Sequence, residues 1–129
     1  MSQQSGGSAD VLTAHTEVHD GIEVVVVAGE IDRMTDEPLG VALDVLGRGP
    51  AGLVIDLGAV TFFGSAGVNM LVTVLRAAKA GEVPFAVIAR KPTVLRPLTI
   101  TGVDAVLPLY PDLAGALAAL RSVPPQRRR

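Results

Sequence analysis

No cysteine occurs among the 129 residues of this chain, which excludes disulfides, thiolate catalysis and cysteine-based metal sites. Tryptophan is also missing, and Phe62, Phe63, Phe85 and Tyr110 are the whole aromatic complement. The core must therefore be built from Val, Leu, Ile and Ala, and few side chains could stack on nucleobases. Basic runs are equally scarce: net charge is −2 and the one run of three cations is Arg127-Arg128-Arg129. A nucleic-acid footprint is not visible. No uninterrupted apolar run is longer than Val24–Ala28, far short of the roughly 20 residues a membrane-spanning helix needs. Met1 to Asp10 is polar and Gly/Ser-rich, without the basic start or apolar stretch of a signal peptide. These absences fit a reducing cytoplasm, the location expected for this chain.

With 49% apolar residues, disorder of the whole chain is excluded, and the length suits one domain with a substantial core. The expected organisation is a disordered lead over 1–10, one folded domain over 11–121 and a flexible tail over 122–129. Val11 to Val18 alternates weakly, as an edge strand does. Asp20-Gly21 is a hairpin dipeptide delivering the chain into Ile22–Ala28, the clearest strand in the sequence. Gly29 to Asp32 is expected as a loop. Thr35 can cap a helix whose first turn carries Asp36, Glu37 and Pro38 and whose buried face is Leu39, Ala42, Leu43 and Leu46.

Val54, Ile55 and Leu57 form a short β-branched and apolar strand of the kind covered on both faces. Gly64-Ser65-Ala66-Gly67 is a small-residue turn. After it, Val68, Leu71, Val72 and Leu75 recur at helical spacing up to a stop at Gly81. Pro84 to Ala89 reads as a strand, and Lys91 to Ile100 as a helix that Pro97 should kink or cut to one or two turns. Ala105 to Leu109 is expected as a last strand, and Pro111-Asp112 as the start of a helix burying Leu113, Leu117 and Leu120. A hairpin followed by alternating helices and strands predicts a mixed sheet with about four helices packed against it, an α/β or layered α+β fold.

Few groups that could do chemistry converge. His15 and His19 are four apart, metal-ligand spacing on a helix but roughly 13 Å along a strand. The Gly64 turn lacks the G-x-S-x-G form of a nucleophile elbow, and no histidine follows it, so the hydrolase order of Ser, Asp and His is excluded. No P-loop is present. What remains is the hydroxyl of Ser65, placed by the pattern as an N-cap where an added phosphate would be favourable. Thr61 and Thr93 are weaker acceptors, since neither precedes a glycine-flanked helix start. Phe62 and Phe63 read as packing around the loop, and Asp56 as a hydrogen-bonding residue at a strand end.

Gly29-Glu30-Ile31-Asp32 with Thr35, Asp56-Leu57, Phe62 to Val68, and Leu98 to Val103 together resemble the STAS-domain anti-sigma factor antagonists, over about Val11 to Leu120. The resemblance implies a single STAS-like domain that is not an enzyme and needs no cofactor. Its partner would be an anti-sigma factor that is a serine kinase with its own ATP and Mg, and through it indirectly a sigma factor. By position Ser65 is the phosphorylated serine, Gly67 the family glycine, and Asp32 the acidic residue of the recognition loop. Gly64 and Ala66 stand where the family carries Asp and a second Ser or Thr. The implied partner surface is Asp32, Arg33, Gly64, Ser65, Ala66, Gly67, Val68 and Asn69, with phosphorylation of Ser65 switching binding off. A monomer or weak homodimer is expected, with neither nucleic acid nor membrane as partner. The alternatives are a constitutive, never phosphorylated STAS interaction module and a small anion- or nucleotide-binding protein or enzyme using the glycine-rich turn.

Overall fold

A computed structural model describes residues 12–32 and 37–122. The expectations for the leading segment, Arg33, the Thr35 cap with Asp36, and the arginine tail lie outside these residues. The described chain runs β1 (Thr13–His19), β2 (Ile22–Ile31), α1 (Glu37–Gly47), β3 (Gly52–Phe63), α2 (Ser65–Ala80), β4 (Phe85–Ile88), α3 (Pro92–Thr101), a 3-10 turn (Val103–Ala105), β5 (Leu109–Tyr110) and α4 (Leu113–Arg121).

The five strands lie in sequence order, β1 antiparallel to β2 and the rest parallel. Asp20 and Gly21 both take positive φ, 55° and 83°, the geometry of a two-residue hairpin turn whose twist matches its strands. With strands added in one direction, crossovers of the usual hand place their helices on one face. Accordingly α1, α2 and α3 share one core with Val25, Leu53, Ile55 and Val87. Helix α4 seals the other face, packing Ala116, Leu117 and Leu120 on Ile22, Val24, Val54, Ala86 and Ile88. No polar or charged residue is buried among the described residues.

Four expectations are corrected. Strand β2 continues to Ile31, because register shifts against β3 absorb the positive φ of Gly29, 102°. Helix α1 buries Pro38, Ala42 and Val45, with Leu43 40% exposed. It is apolar nearly all round, so its contact with α2, not its periodicity, selects the inward stripe. Helix α3 spans ten residues despite Pro97. Burial of Val94 and Leu98 holds it, and the Thr101 hydroxyl donates to the Pro97 carbonyl at 2.7 Å. The last strand is only Leu109–Tyr110, since the 3-10 turn takes up Val103–Ala105 and Pro108 has no N–H to enter a ladder.

Candidate functional site

Strand β4 pairs with β3 only over Leu53–Asp56. Beyond that point β3 runs on, paired to β2 alone, from Ala28↔Ala59 to Ile31↔Phe63. The first register shift falls where the Gly58 N–H donates to Asp56 Oδ1 at 2.9 Å. Asp56 thus sits inside the longer strand, where its carboxylate satisfies a local amide. The ribbon of β2 and β3 carries two chain segments, distant in sequence, to one edge of the sheet.

At that edge the Gly64 N–H donates to the Ile31 carbonyl at 3.3 Å, so Asp32, next after Ile31, stands beside the turn before α2. Gly64 is extended, with φ −98° and ψ −165°. Its carbonyl accepts from the N–H groups of Gly67 and Val68 at 3.0 and 3.3 Å. Gly64 is therefore the N-cap and Ser65 the first helical residue, one position later than the sequence pattern places it. The difference has a chemical consequence. Among the described residues no side chain caps α2, so the Ser65 hydroxyl is not spent on the helix that presents it.

Ser65 is exposed. Neither its own N–H nor that of Ala66 has an acceptor among the described residues, and the first turn of α2 carries no acid. Two open amides at the positive end of a sixteen-residue helix favour an anion. Phe63 is 4% exposed and fixes the entry angle of the helix. A Cβ on Gly67 would lie 2.5, 2.6 and 2.9 Å from three Phe63 ring atoms, so the glycine at 67 is a packing requirement. Phe62 is half exposed, at 50%, on the rim of the turn.

Of the residues expected to face a partner, Asp32 and Ala66 are half-buried, while Ser65 and Asn69 are exposed. Val68 is 6% exposed and Gly67 lies under Phe63. These two shape the turn from below and offer no side chain outward. Arg33 lies outside the described residues. Sequence reasoning missed the Ile31 carbonyl, a backbone group with no sequence signal.

His15 and His19 lie on β1, their Nε2 atoms 3.3 and 3.4 Å from the two carboxylate oxygens of Glu17. Hydrogen bonds from His19 and then His15 hold the Glu17 carboxyl below its ordinary value. Among the described residues no group of three or more His, Cys, Asp or Glu could hold a metal ion, and no helix is long and apolar enough to cross a membrane. A cleft of roughly 230 Å3 lies between Asp56, Gly58, Arg90, Lys91 and Asp112. Both its carboxylates accept from backbone amides, those of Gly58 and Gly115. No nucleophile with an adjacent base is assembled there.

Comparison with known proteins agrees with this geometry. A family model of the STAS domain matches residues 13–116. The anti-sigma-F factor antagonist RsfB of Mycobacterium tuberculosis is 37% identical over 114 residues, covering 87% of this chain and 92% of that protein. The crystal structure of an anti-sigma factor antagonist from Mycobacterium paratuberculosis superposes with a TM-score of 0.79 at 39% identity, over 89% of this chain and 98% of that one. The Bacillus cell fate determinant SpoIIAA, solved in its phosphorylated form, shares the fold at a TM-score of 0.64 and 15% identity, over 86% of this chain and 100% of that one. The chain belongs to the STAS-domain family of anti-sigma factor antagonists.

Proposed function

We propose that this protein is a phosphorylation-switched antagonist that binds an anti-sigma factor kinase through the Ser65 edge and so frees a sigma factor. One observation supports the reading: among the described residues the exposed Ser65 hydroxyl has no hydrogen bond, and it stands at the first position of a helix whose two opening amides have no acceptor there. The names of the mycobacterial relatives support the antagonist role. The kinase supplies ATP and Mg, so this chain contributes only the acceptor and the surface around it.

A phosphate on Ser65 adds about −1.5 to −2 charges. Within the domain it is benign, since negative charge at a helix N-terminus is favourable by roughly 0.3–1 kcal/mol. At an interface the sign reverses. An uncompensated buried charge costs about 3–5 kcal/mol, on the order of a hundredfold to several thousandfold in affinity. Binding is switched off with the fold intact. The Gly64–Ile31 bond, which sets Asp32 beside the turn, supports a role for Asp32 in contacting the same partner.

The test is incubation with the cognate anti-sigma factor and ATP, with the phosphate mapped by mass spectrometry. Modification is expected on Ser65 and absent from Ser65→Ala; modification persisting in that variant moves the site elsewhere. Ser65→Glu should bind the anti-sigma factor about a hundredfold more weakly, and equal binding defeats the switch. A constitutive interaction module is the second reading, favoured by the missing carboxylate at Gly64. Binding of the anti-sigma factor with Ser65 unmodified by every kinase tried would select it.

A further inference from the structure

Strand β1 is an edge of the sheet, and its sequence complements itself. Among the described residues nothing pairs with β1 on the side away from β2. Proteins blunt such edges with proline, a bulge, lysine or a covering segment. Thr13–His19 contains neither proline nor lysine, and its register with β2 is unbroken from Thr13↔Ala28 to His19↔Ile22. The turn at Asp20-Gly21 makes His19↔Ile22 a hydrogen-bonded pair. By alternation Thr13, His15 and Glu17 also spend their backbone groups on β2, while Ala14, Thr16 and Val18 direct N–H and C=O outward. Those outward groups have no backbone partner among the described residues. On the face that carries Ala14, Val18 is 61% exposed. On the other face Glu17 lies between His15 and His19, at 3.3 and 3.4 Å.

We propose that β1 pairs antiparallel with β1 of a second copy of this chain, in the register centred on Thr16, and so joins two sheets into one. In that register the whole strand overlaps: Thr16 meets Thr16, Ala14 meets Val18, His15 meets Glu17 and Thr13 meets His19. The outward backbone groups of Ala14, Thr16 and Val18 then face one another, and each is satisfied. Glu17 of each copy opposes His15 of the other in a non-hydrogen-bonded pair, whose Cα atoms lie only roughly 4.5 Å apart. Each carboxylate thereby gains an imidazole across the strands besides those along its own. On the other face Ala14 covers the exposed Val18, and the two Thr16 hydroxyls meet, a pairing that stabilises sheets. Moving the centre by one residue destroys the match. Centred on Glu17, the two carboxylates would stand face to face; centred on His15, the two imidazoles would. One strand edge is a contact at the low end of interface sizes, so the dimer is a weak one.

Sedimentation equilibrium of the full chain, from micromolar to millimolar concentration, tests the proposal, and a concentration-dependent dimer is expected. Thr16→Pro removes an outward N–H at a place where an edge strand tolerates proline. It should abolish the dimer, while its thermal melt at low concentration stays close to that of wild type. His15→Glu sets carboxylate against carboxylate twice and should weaken the dimer about tenfold. Adding Glu17→Lys to His15→Glu should restore it. Because the chain has no cysteine, Thr16→Cys carries a lone thiol at the dyad, where Cα atoms roughly 5.5 Å apart lie within disulfide reach. Mild oxidation should link Thr16→Cys into a covalent dimer and leave Val18→Cys largely unlinked. A wild type that is monomeric at every concentration overturns the proposal, and so does a dimer that Thr16→Pro and His15→Glu leave intact. A double variant no better than His15→Glu, or Val18→Cys linking as readily as Thr16→Cys, overturns the register. No anti-sigma factor enters these measurements, so the Ser65 reading stands or falls separately.

Discussion

The N-termini of α2 and α4 are built from the same backbone and finished in opposite ways. Helix α4 is closed: Asp112 Oδ1 accepts from the Gly115 N–H at 2.8 Å, so an internal carboxylate occupies the place an external anion would take. Helix α2 is open, with a glycine at the cap, no acid in its first turn and, among the described residues, no side-chain bond at the cap. The closed end is the one that stabilises the fold, through the one helix that covers the second face of the sheet among the described residues. The open end gives up only a few tenths of a kcal/mol, roughly, relative to a side-chain cap, and leaves a hydroxyl and two amides without a partner among the described residues. On the proposed reading, stability and switching fall to different helix ends.

Four measurements break or sharpen that contrast. The largest effect is expected at the open end. Gly67→Ala puts a methyl 2.5 Å from Phe63, and overpacking of this kind costs about 1–3 kcal/mol. Denaturant unfolding should report that loss, together with slower phosphorylation of Ser65 as the turn shifts. At the closed end, Asp112→Ala should lower stability by about 1 kcal/mol through loss of the cap, with Ser65 phosphorylation unchanged. Gly64→Asp makes the open end resemble the closed one. Glycine is nearly as good a cap as aspartate, so the gain in stability should be only a few tenths of a kcal/mol, roughly. A Cβ at 64 meets the Phe62 ring at 3.3 Å, and the half-exposed ring can yield. The smallest effect lies at neither end. Glu17, its carboxyl lowered by His19 and His15, contributes stability that is present above its ordinary titration range. That contribution is lost as pH falls through the lowered value. An NMR titration of wild type against His19→Ala should show the Glu17 midpoint rising in the variant.

What could be read in the sequence was local. Asp20-Gly21 announces a turn because both residues tolerate positive φ. The stripe from Val68 through Leu75 announces α2 because one helix face is apolar throughout. The site itself was half legible. Gly64 to Gly67 marks a strand-to-helix turn within a few consecutive residues. Its neighbour Asp32 is set by the parallel register of β2 and β3, a pairing between segments some thirty residues apart that no local pattern encodes. Gly29 was misleading for the same reason: it reads as a strand end, and only the bulged partner strand lets β2 continue to Ile31. The N-cap moved by one residue because Gly64 and Ser65 are both acceptable caps by composition, and backbone dihedrals decided between them. Pro97 promised a broken helix, but burial of Val94 and Leu98 outweighs one missing backbone bond.

Among the described residues α4 is the one helix on the second face of the sheet, so the domain's integrity depends on it. A cut anywhere between Pro111 and Leu113 would strip Ile22, Val24, Val54, Ala86 and Ile88 of their roof at once. That would leave a flat aliphatic wall of β-structure, the kind of surface on which chains clump and housekeeping proteases feed.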